Sequence, residues 1–205
     1  LARYGEVLDG GRLNWTQHHK LGRRLGSGGQ GVVFLTTRKG TDGFTLPVAL
    51  KIFSPERYES EARYSAAMEG IAQVSAQVAQ IQQDNLLDVQ NFVEQRQIRI
   101  MEMEWIDGYD LSRLLAPDLL EKTRERVTAS RWEYLNNVIV TPGSRQSRLK
   151  PGVAIAIVRE CLAALAALHR VNILHGDIKS SNIMVKRTGN AKIIDIGSAV
   201  TLATA

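Results

Sequence analysis

Between His175 and Gly197 the chain sets four polar groups into an otherwise apolar run, and no other stretch restricts the fold so strongly. The residues read His-Gly-Asp-Ile-Lys-Ser-Ser-Asn from 175 to 182 and Ile-Ile-Asp-Ile-Gly from 193 to 197. Asp177, Lys179, Asn182 and Asp195 stand among Ile173, Leu174, Ile178, Ile183, Met184, Val185, Ile193, Ile194 and Ile196. Between the two halves, Thr188-Gly189-Asn190 separates two β-rich runs and signals a short hairpin, which can bring Asn182 beside Asp195. A carboxylate able to accept a hydroxyl proton, a lysine two residues on, an amide and a second carboxylate are the parts needed to orient a nucleophile and hold Mg²⁺ over a phosphate.

Two upstream stretches bear on the same chemistry. Residues 20–25 and 32–37 read as strands on either side of Gly26-Ser27-Gly28-Gly29-Gln30-Gly31. Gly26, Gly28 and Gly31 satisfy Gly-x-Gly-x-x-Gly, and Val33 follows two residues later. Small residues let a backbone lie close over phosphates, and a strand after the glycines sets the pattern apart from a dinucleotide-binding turn, where a helix follows. Alone it is equally the pattern of a glycine-rich hairpin. The third strand, 46–53, reads Leu-Pro-Val-Ala-Leu-Lys-Ile-Phe and places Lys51 mid-run. A lysine there is costly unless it meets an anion, which nucleotide phosphates would supply; the ordinary alternative is an edge-strand lysine facing water.

Together these stretches resemble the protein kinases. His175-Gly176-Asp177 stands in place of His-Arg-Asp, Asp195-Ile196-Gly197 in place of Asp-Phe-Gly, and Val48-Ala49-Leu50-Lys51 in place of Val-Ala-Ile-Lys. The glycine stretch with Val33 matches the family's glycine-rich loop, and Met101-Glu102-Met103-Glu104-Trp105-Ile106-Asp107-Gly108 resembles its hinge. The resemblance, to a serine/threonine protein kinase of bacterial type, implies an α+β fold: a five-stranded antiparallel N-lobe with one long helix, then the first part of a mainly helical C-lobe. It divides the chain into an extension over 1–18, an N-lobe and hinge over 19–106, and a partial C-lobe over 107–205. Within the last, 112–150 is longer and more polar than the usual link and reads as an insertion. The match runs from His19 to Ala205, roughly the first two-thirds of such a domain, so the expectation is a domain truncated after Asp-Ile-Gly or one continued past Ala205.

The resemblance also implies roles. Asp177 would be the catalytic base, or at least the group that orients the substrate hydroxyl, and Lys179 would neutralise charge on the transferred phosphoryl group. Asn182 and Asp195 would hold Mg²⁺. ATP would lie under Gly26, Ser27, Gly28, Gly29, Gln30 and Gly31, with Lys51 on its phosphates. Leu25, Val33, Ala49 and Met184 would enclose the adenine, Met103 would be the gatekeeper, and the backbone of Glu104 and Ile106 would bond the adenine edge. Lys179 is the Ser/Thr pattern, so the implied substrate is a protein hydroxyl of the aliphatic kind. Gly176 replaces the arginine that receives an activation-loop phosphate in many relatives, and that switch is expected to be absent.

The rest of the chain fills this frame. Ser54-Pro55 reads as a helix start, a capping serine before a proline, with helix continuing to about residue 83 and Gly70 as a break. The family pairs a glutamate of this helix with the strand lysine; Glu69 and Glu61 are the candidates, although Glu69 projects away from the apolar stripe Ile71, Val74, Val78 and Ile81. Residues 85–94 and 97–105 read as the last two strands. Residues 121–131 read as a charged surface helix, Thr141-Pro142-Gly143-Ser144 as a loop tip and 145–150 as a solvated basic loop. Pro151 opens a strong helix whose apolar face carries Ala154, Ile157, Val158, Cys161, Leu162, Leu165 and Leu168.

Composition excludes other classes. One cysteine, Cys161, allows no disulfide framework and fits a reducing compartment. The most apolar stretch, 152–168, is broken by Arg159 and Glu160 and falls short of the roughly 20 residues of a membrane span. With no signal-peptide pattern, the chain is expected to be cytoplasmic. The net charge of +5 is scattered among 21 acidic residues, so no nucleic-acid partner is expected; oligomeric state is not legible. Two competing readings remain: a small-molecule phosphotransferase of the aminoglycoside or choline kinase kind, which shares His-Gly-Asp, Asn182 and Ile194-Asp195, and a nucleotide-binding pseudokinase.

Overall fold

A computed structural model describes residues 19–143 and 146–202. The proposed extension over 1–18 lies outside the described residues, as do Ser144 and Arg145 of the expected loops. The N-terminal part is an antiparallel sheet of five strands, β1 (His19–Gly28), β2 (Gly31–Lys39), β3 (Thr45–Phe53), β4 (Val89–Gln95) and β5 (Ile98–Glu104), in the order β1-β2-β3-β5-β4. β3 is the central strand and the most buried; β1 is an exposed edge whose Lys20, Arg23 and Arg24 discourage further pairing. The glycine-rich stretch is not a separate loop. Its residues extend both strands, pairing Gly26 with Val33, Ser27 with Val32 and Gly28 with Gly31, so that only Gly29 and Gln30 form the turn. Gly31 (φ 142°) is obligatory, because a Cβ there would lie 2.0 Å from the Ile52 carbonyl oxygen.

The helix expected from Ser54 begins later. Ser54 does cap, accepting the Glu56 N–H at 3.3 Å, but it opens only a single 3₁₀ turn, Pro55–Arg57. Tyr58 is then extended, with its ring edge-on to Tyr64 at 5.4 Å, and Ser60 provides the true cap of α1 (Glu61–Val78). Gly70 does not break α1; it faces open space. Tyr64, Met68, Val74, Ser75 and Val78 form its buried side. The Tyr64 hydroxyl donates to the Phe53 carbonyl at 3.2 Å and accepts the Arg99 N–H at 2.9 Å, tying the first turns of α1 to β3 and β5.

Residues 85–87, expected to open the fourth strand, run instead against the second half of the molecule. Leu86 bridges Ile193 in parallel, with Leu87 N–H on the Ile193 carbonyl at 3.0 Å and Ile193 N–H on the Asn85 carbonyl at 2.8 Å.

That second half is built on α2 (Leu111–Leu115), α3 (Pro117–Arg124), α4 (Ala129–Tyr134) and the long α5 (Pro151–Arg170). β6 (Gly108–Asp110), β10 (Ile183–Lys186) and β11 (Ala191–Ile193) form a three-stranded sheet; β7 (Val140–Thr141) pairs with β8 (Arg148–Leu149), and β9 (Ile173–Leu174) with β12 (Val200–Thr201). Residues 121–131 are not one surface helix: α3 ends at Arg124, Thr128 caps α4, and Leu120 and Thr123 are buried. The basic run is not a free loop either, since Arg148 and Leu149 form β8 and Ser147 is buried.

The core is in two parts. One passes through both halves, joining Phe53, Tyr64, Met68 and Met101 to Leu86, Leu168, Ile173, Ile193 and Ile196. The other, Leu114, Leu120, Leu135, Ile139, Ile157 and Val185, lies under residues 112–150. α5 has 20 residues and is long and apolar enough to cross a membrane by length and composition, contrary to the expectation from its apolar stretch alone. Its Ile157, Ala164, Ala167 and Leu168 are buried in the core, and Glu160 at its middle accepts the Ala191 N–H at 2.6 Å. Ile155, at 71% exposure, Val158 and Leu162 form an open apolar stripe on its other side.

Candidate active site

The hairpin β10–β11 delivers the polar residues of the 175–197 stretch to one place. Asn182 ends a 3₁₀ turn, Ser180–Asn182, and its carbonyl accepts the Ile194 N–H at 2.8 Å, which sets it against the residue preceding Asp195. Both amide hydrogens of Asn182 point at Asp177, with Nδ2 at 2.8 Å from the backbone oxygen and 2.9 Å from Oδ2. The remaining amide oxygen is therefore the atom that can serve a cation.

Asp177 also accepts from the Lys179 ammonium at 2.6 Å. That hydrogen bond, seconded by the one from Asn182, holds its carboxyl below the usual carboxylate range. His175 is 2% exposed and locks this loop from behind. Its Nδ1 accepts the Asp177 N–H at 3.3 Å, which places the proton on Nε2 for the Ile194 carbonyl at 3.1 Å. Burial lowers its pKa, so it is neutral in this arrangement. Gly176 (φ 77°) lies so close to Ser198 that a Cβ would be 2.5 Å from its carbonyl oxygen; an arginine has no room there.

Asp195 sits just past the end of β11 in the left-handed region (φ 61°, ψ 73°), which an aspartate adopts more readily than most non-glycine residues. Its carboxylate accepts the Gly197 N–H at 3.2 Å and pairs with Lys51. Lys51 is 6% exposed. Its second partner is Gln30 Oε1 at 2.7 Å. Neither candidate glutamate reaches it: Glu61 and Glu69 are both exposed on the outer side of α1.

On the other flank, Ala49 and Met103 are paired across β3 and β5 and buried in the shared core, with Val33 and Ile106 packed against it. Leu25 is exposed at the sheet edge, and Met184 is half-buried in β10 outside that core cluster. The Glu104 N–H is committed to the Asp88 carbonyl at 3.0 Å, so only its carbonyl oxygen is left to meet a ligand there. The Glu104 side chain does something the sequence reading missed: it accepts the Asp88 N–H at 2.8 Å and pairs with Lys192 of β11. Lys192, buried in an apolar strand, posed the same question as Lys51 and would have yielded to the same reasoning.

Among the described residues no cluster of three His, Cys, Asp or Glu side chains is poised for a metal. Asn182 and Asp195 supply oxygen donors only, and Mg²⁺ characteristically takes one or two protein oxygens and completes its shell with phosphate oxygens and water. The donor set fits that ion. Beside the hairpin, a Cβ at Gly26, Gly28 or Gly29 would meet nothing within 4 Å, so no contact within the protein requires glycine at those positions.

The protein kinase domain profile matches residues 19–205. The chain belongs to the protein kinase family. The kinase domain is 29% identical over 183 residues to the serine/threonine-protein kinase PknD of Mycobacterium tuberculosis, an alignment covering 88% of this chain and 22% of that protein. It is 26% identical over 181 residues to PknE of Mycobacterium bovis, covering 88% and 26% respectively. A shorter match, 38% over 65 residues, relates 32% of it to 12% of mouse serine/threonine-protein kinase PAK 1. The chain thus spans about a quarter of the length of the bacterial relatives. Protein kinases use ATP and Mg²⁺ as a family.

Proposed function

We propose that this kinase domain transfers the γ-phosphoryl group of ATP to serine or threonine hydroxyls of protein substrates. The observation that carries this reading is the single hydrogen-bonded array Lys179–Asp177–Asn182 set against the Lys51–Asp195 pair. In it Asp177 orients the acceptor hydroxyl and takes its proton; its lowered pKa keeps it ionised at neutral pH. Lys179 balances charge on the phosphoryl group, and Lys51 anchors the other phosphates. Asn182 and Asp195 would hold Mg²⁺, which would supply charge neutralisation to the phosphates.

The open space over Gly26, Gly28 and Gly29 supports ATP phosphates lying beneath the hairpin. Val33, Ala49 and Met103 form the adenine wall, Leu25 and Met184 its margins, and the Glu104 carbonyl with the Ile106 backbone its polar edge. The lobes divide near residue 106. Need for ATP and the lone, half-buried Cys161 both suit the cytoplasm as the place of action.

The test is transfer of labelled phosphate from Mg-ATP to a basic protein and to the chain itself. Asp177→Asn is expected to lower transfer by about 10²–10⁴-fold while ATP binding persists. Transfer to a small alcohol or aminoglycoside but to no protein would replace this reading by the small-molecule one; ATP binding without any transfer would replace it by a pseudokinase.

A further inference from the structure

Lys51 is a buried ammonium, and its position depends on fixed oxygen partners. α1 supplies none: its inward residues are Tyr64, Met68, Val74, Ser75 and Val78, and its carboxylates, Glu61 and Glu69, face out. The second oxygen comes from the tip of the glycine hairpin. Gln30 Oε1 accepts from Lys51 Nζ at 2.7 Å, and Gln30 Nε2 donates to the Gly197 carbonyl at 3.1 Å. The amide can sit only one way round, because an ammonium only donates and a carbonyl only accepts. Its backbone is held as well, the Gln30 carbonyl accepting the Ser54 N–H at 3.0 Å. Gly197 makes room for the clasp: a Cβ there would lie 2.2 Å from Gln30 Oε1 and 3.0 Å from Lys51 Nζ.

We propose that Gln30 is the positioning residue for Lys51, taking the place of a helix carboxylate and coupling the phosphate-binding lysine to the hairpin and to the Asp-Ile-Gly turn instead of to α1. The proposal rests on the reading of Lys51 as a phosphate ligand. It makes Lys51 geometry sensitive to hairpin closure and indifferent to the charge of α1.

The test is equilibrium binding of Mg-ATP and, separately, of adenosine to the chain, with folding of each variant followed by thermal melting. Gln30→Ala is expected to weaken ATP binding about tenfold and leave adenosine binding unchanged, because only the phosphates meet Lys51. Gln30→Glu, which keeps an acceptor for Lys51 but has no N–H for Gly197, falls between. Glu69→Gln and Glu61→Gln bind ATP as the parent does. Unchanged ATP affinity in Gln30→Ala, equal loss for ATP and adenosine, or a loss of the same size in Glu69→Gln or Glu61→Gln overturns the proposal. Binding is measured without turnover, so a parent chain that binds ATP but transfers no phosphate fails the kinase reading alone; one that binds no ATP fails both.

Discussion

His175 shows how one neutral ring can organise a charged site. It accepts from Asp177 N–H with one nitrogen and serves the Ile194 carbonyl with the other, an arrangement a protonated ring cannot keep. Burial holds its pKa below 6.5, outweighing the nearby carbonyl and carboxylates that push it up. The unfolded chain therefore binds a proton first as pH falls, and stability drops from about pH 6.5 downward until the folded ring also titrates. Melting temperature measured from about pH 7.5 to about 5.5 is expected to decline, with a shallower slope in His175→Asn. At this scale the sequence was informative about which residues gather, since Asn182 and Asp195 flank a hairpin whose turn is written in Thr188-Gly189-Asn190 and Asp177 lies in the loop just before it. It was silent on how Lys51 is held. The partner, Gln30, is a neutral residue in a glycine run, and nothing in its spacing tells that its side chain folds inward and not over solvent.

Elements were legible where one signal acted alone and misread where two competed. The five strands follow from alternation and turn residues, and the central one from its apolar run. α1 had two serine caps in series, and the first has the stronger sequence signature because Pro55 follows it. Packing decided otherwise: Tyr58 is needed against Tyr64, which forces an extended residue between the caps. Ser60→Ala is accordingly expected to destabilise the domain by about 1 kcal/mol in urea unfolding, and Ser54→Ala by less. Gly70, mid-helix beside open space, should gain about 0.5–1 kcal/mol on replacement by alanine. Equal costs at the two serines would contradict the assigned helix start. Residues 121–131 failed for a related reason, since charge density suggested one exposed helix while Leu120 belongs to a core that no local pattern reveals and Thr123 is buried.

Across the molecule, the two halves are joined by more than the chain that runs from β5 into β6. Lys192 reaches from β11 to the Glu104 carboxylate and, at 3.1 Å, to the Leu86 carbonyl, while Asn85 Nδ2 donates to the Ala191 carbonyl at 2.9 Å. Lys192→Met leaves a partly buried carboxylate without its cation and is expected to cost on the order of 1–3 kcal/mol, read from the urea midpoint. Combined with Glu104→Gln the loss should fall short of the sum, because the two changes delete one interaction. The open stripe of Ile155, Val158 and Leu162 adds a large apolar surface on the far side of α5. The double anchorage of α1 bears on motion. Tyr64 bolts its first turns to the sheet, and the segment after it is stitched to β11 through Asn85, Leu86 and Leu87. α1 is thereby tied to the sheet through Tyr64, and the chain beyond its C-terminal end is pinned to β11. The clasp of Gln30 on Lys51 and on the Gly197 carbonyl is then the contact that must break for the tip of the glycine hairpin to lift.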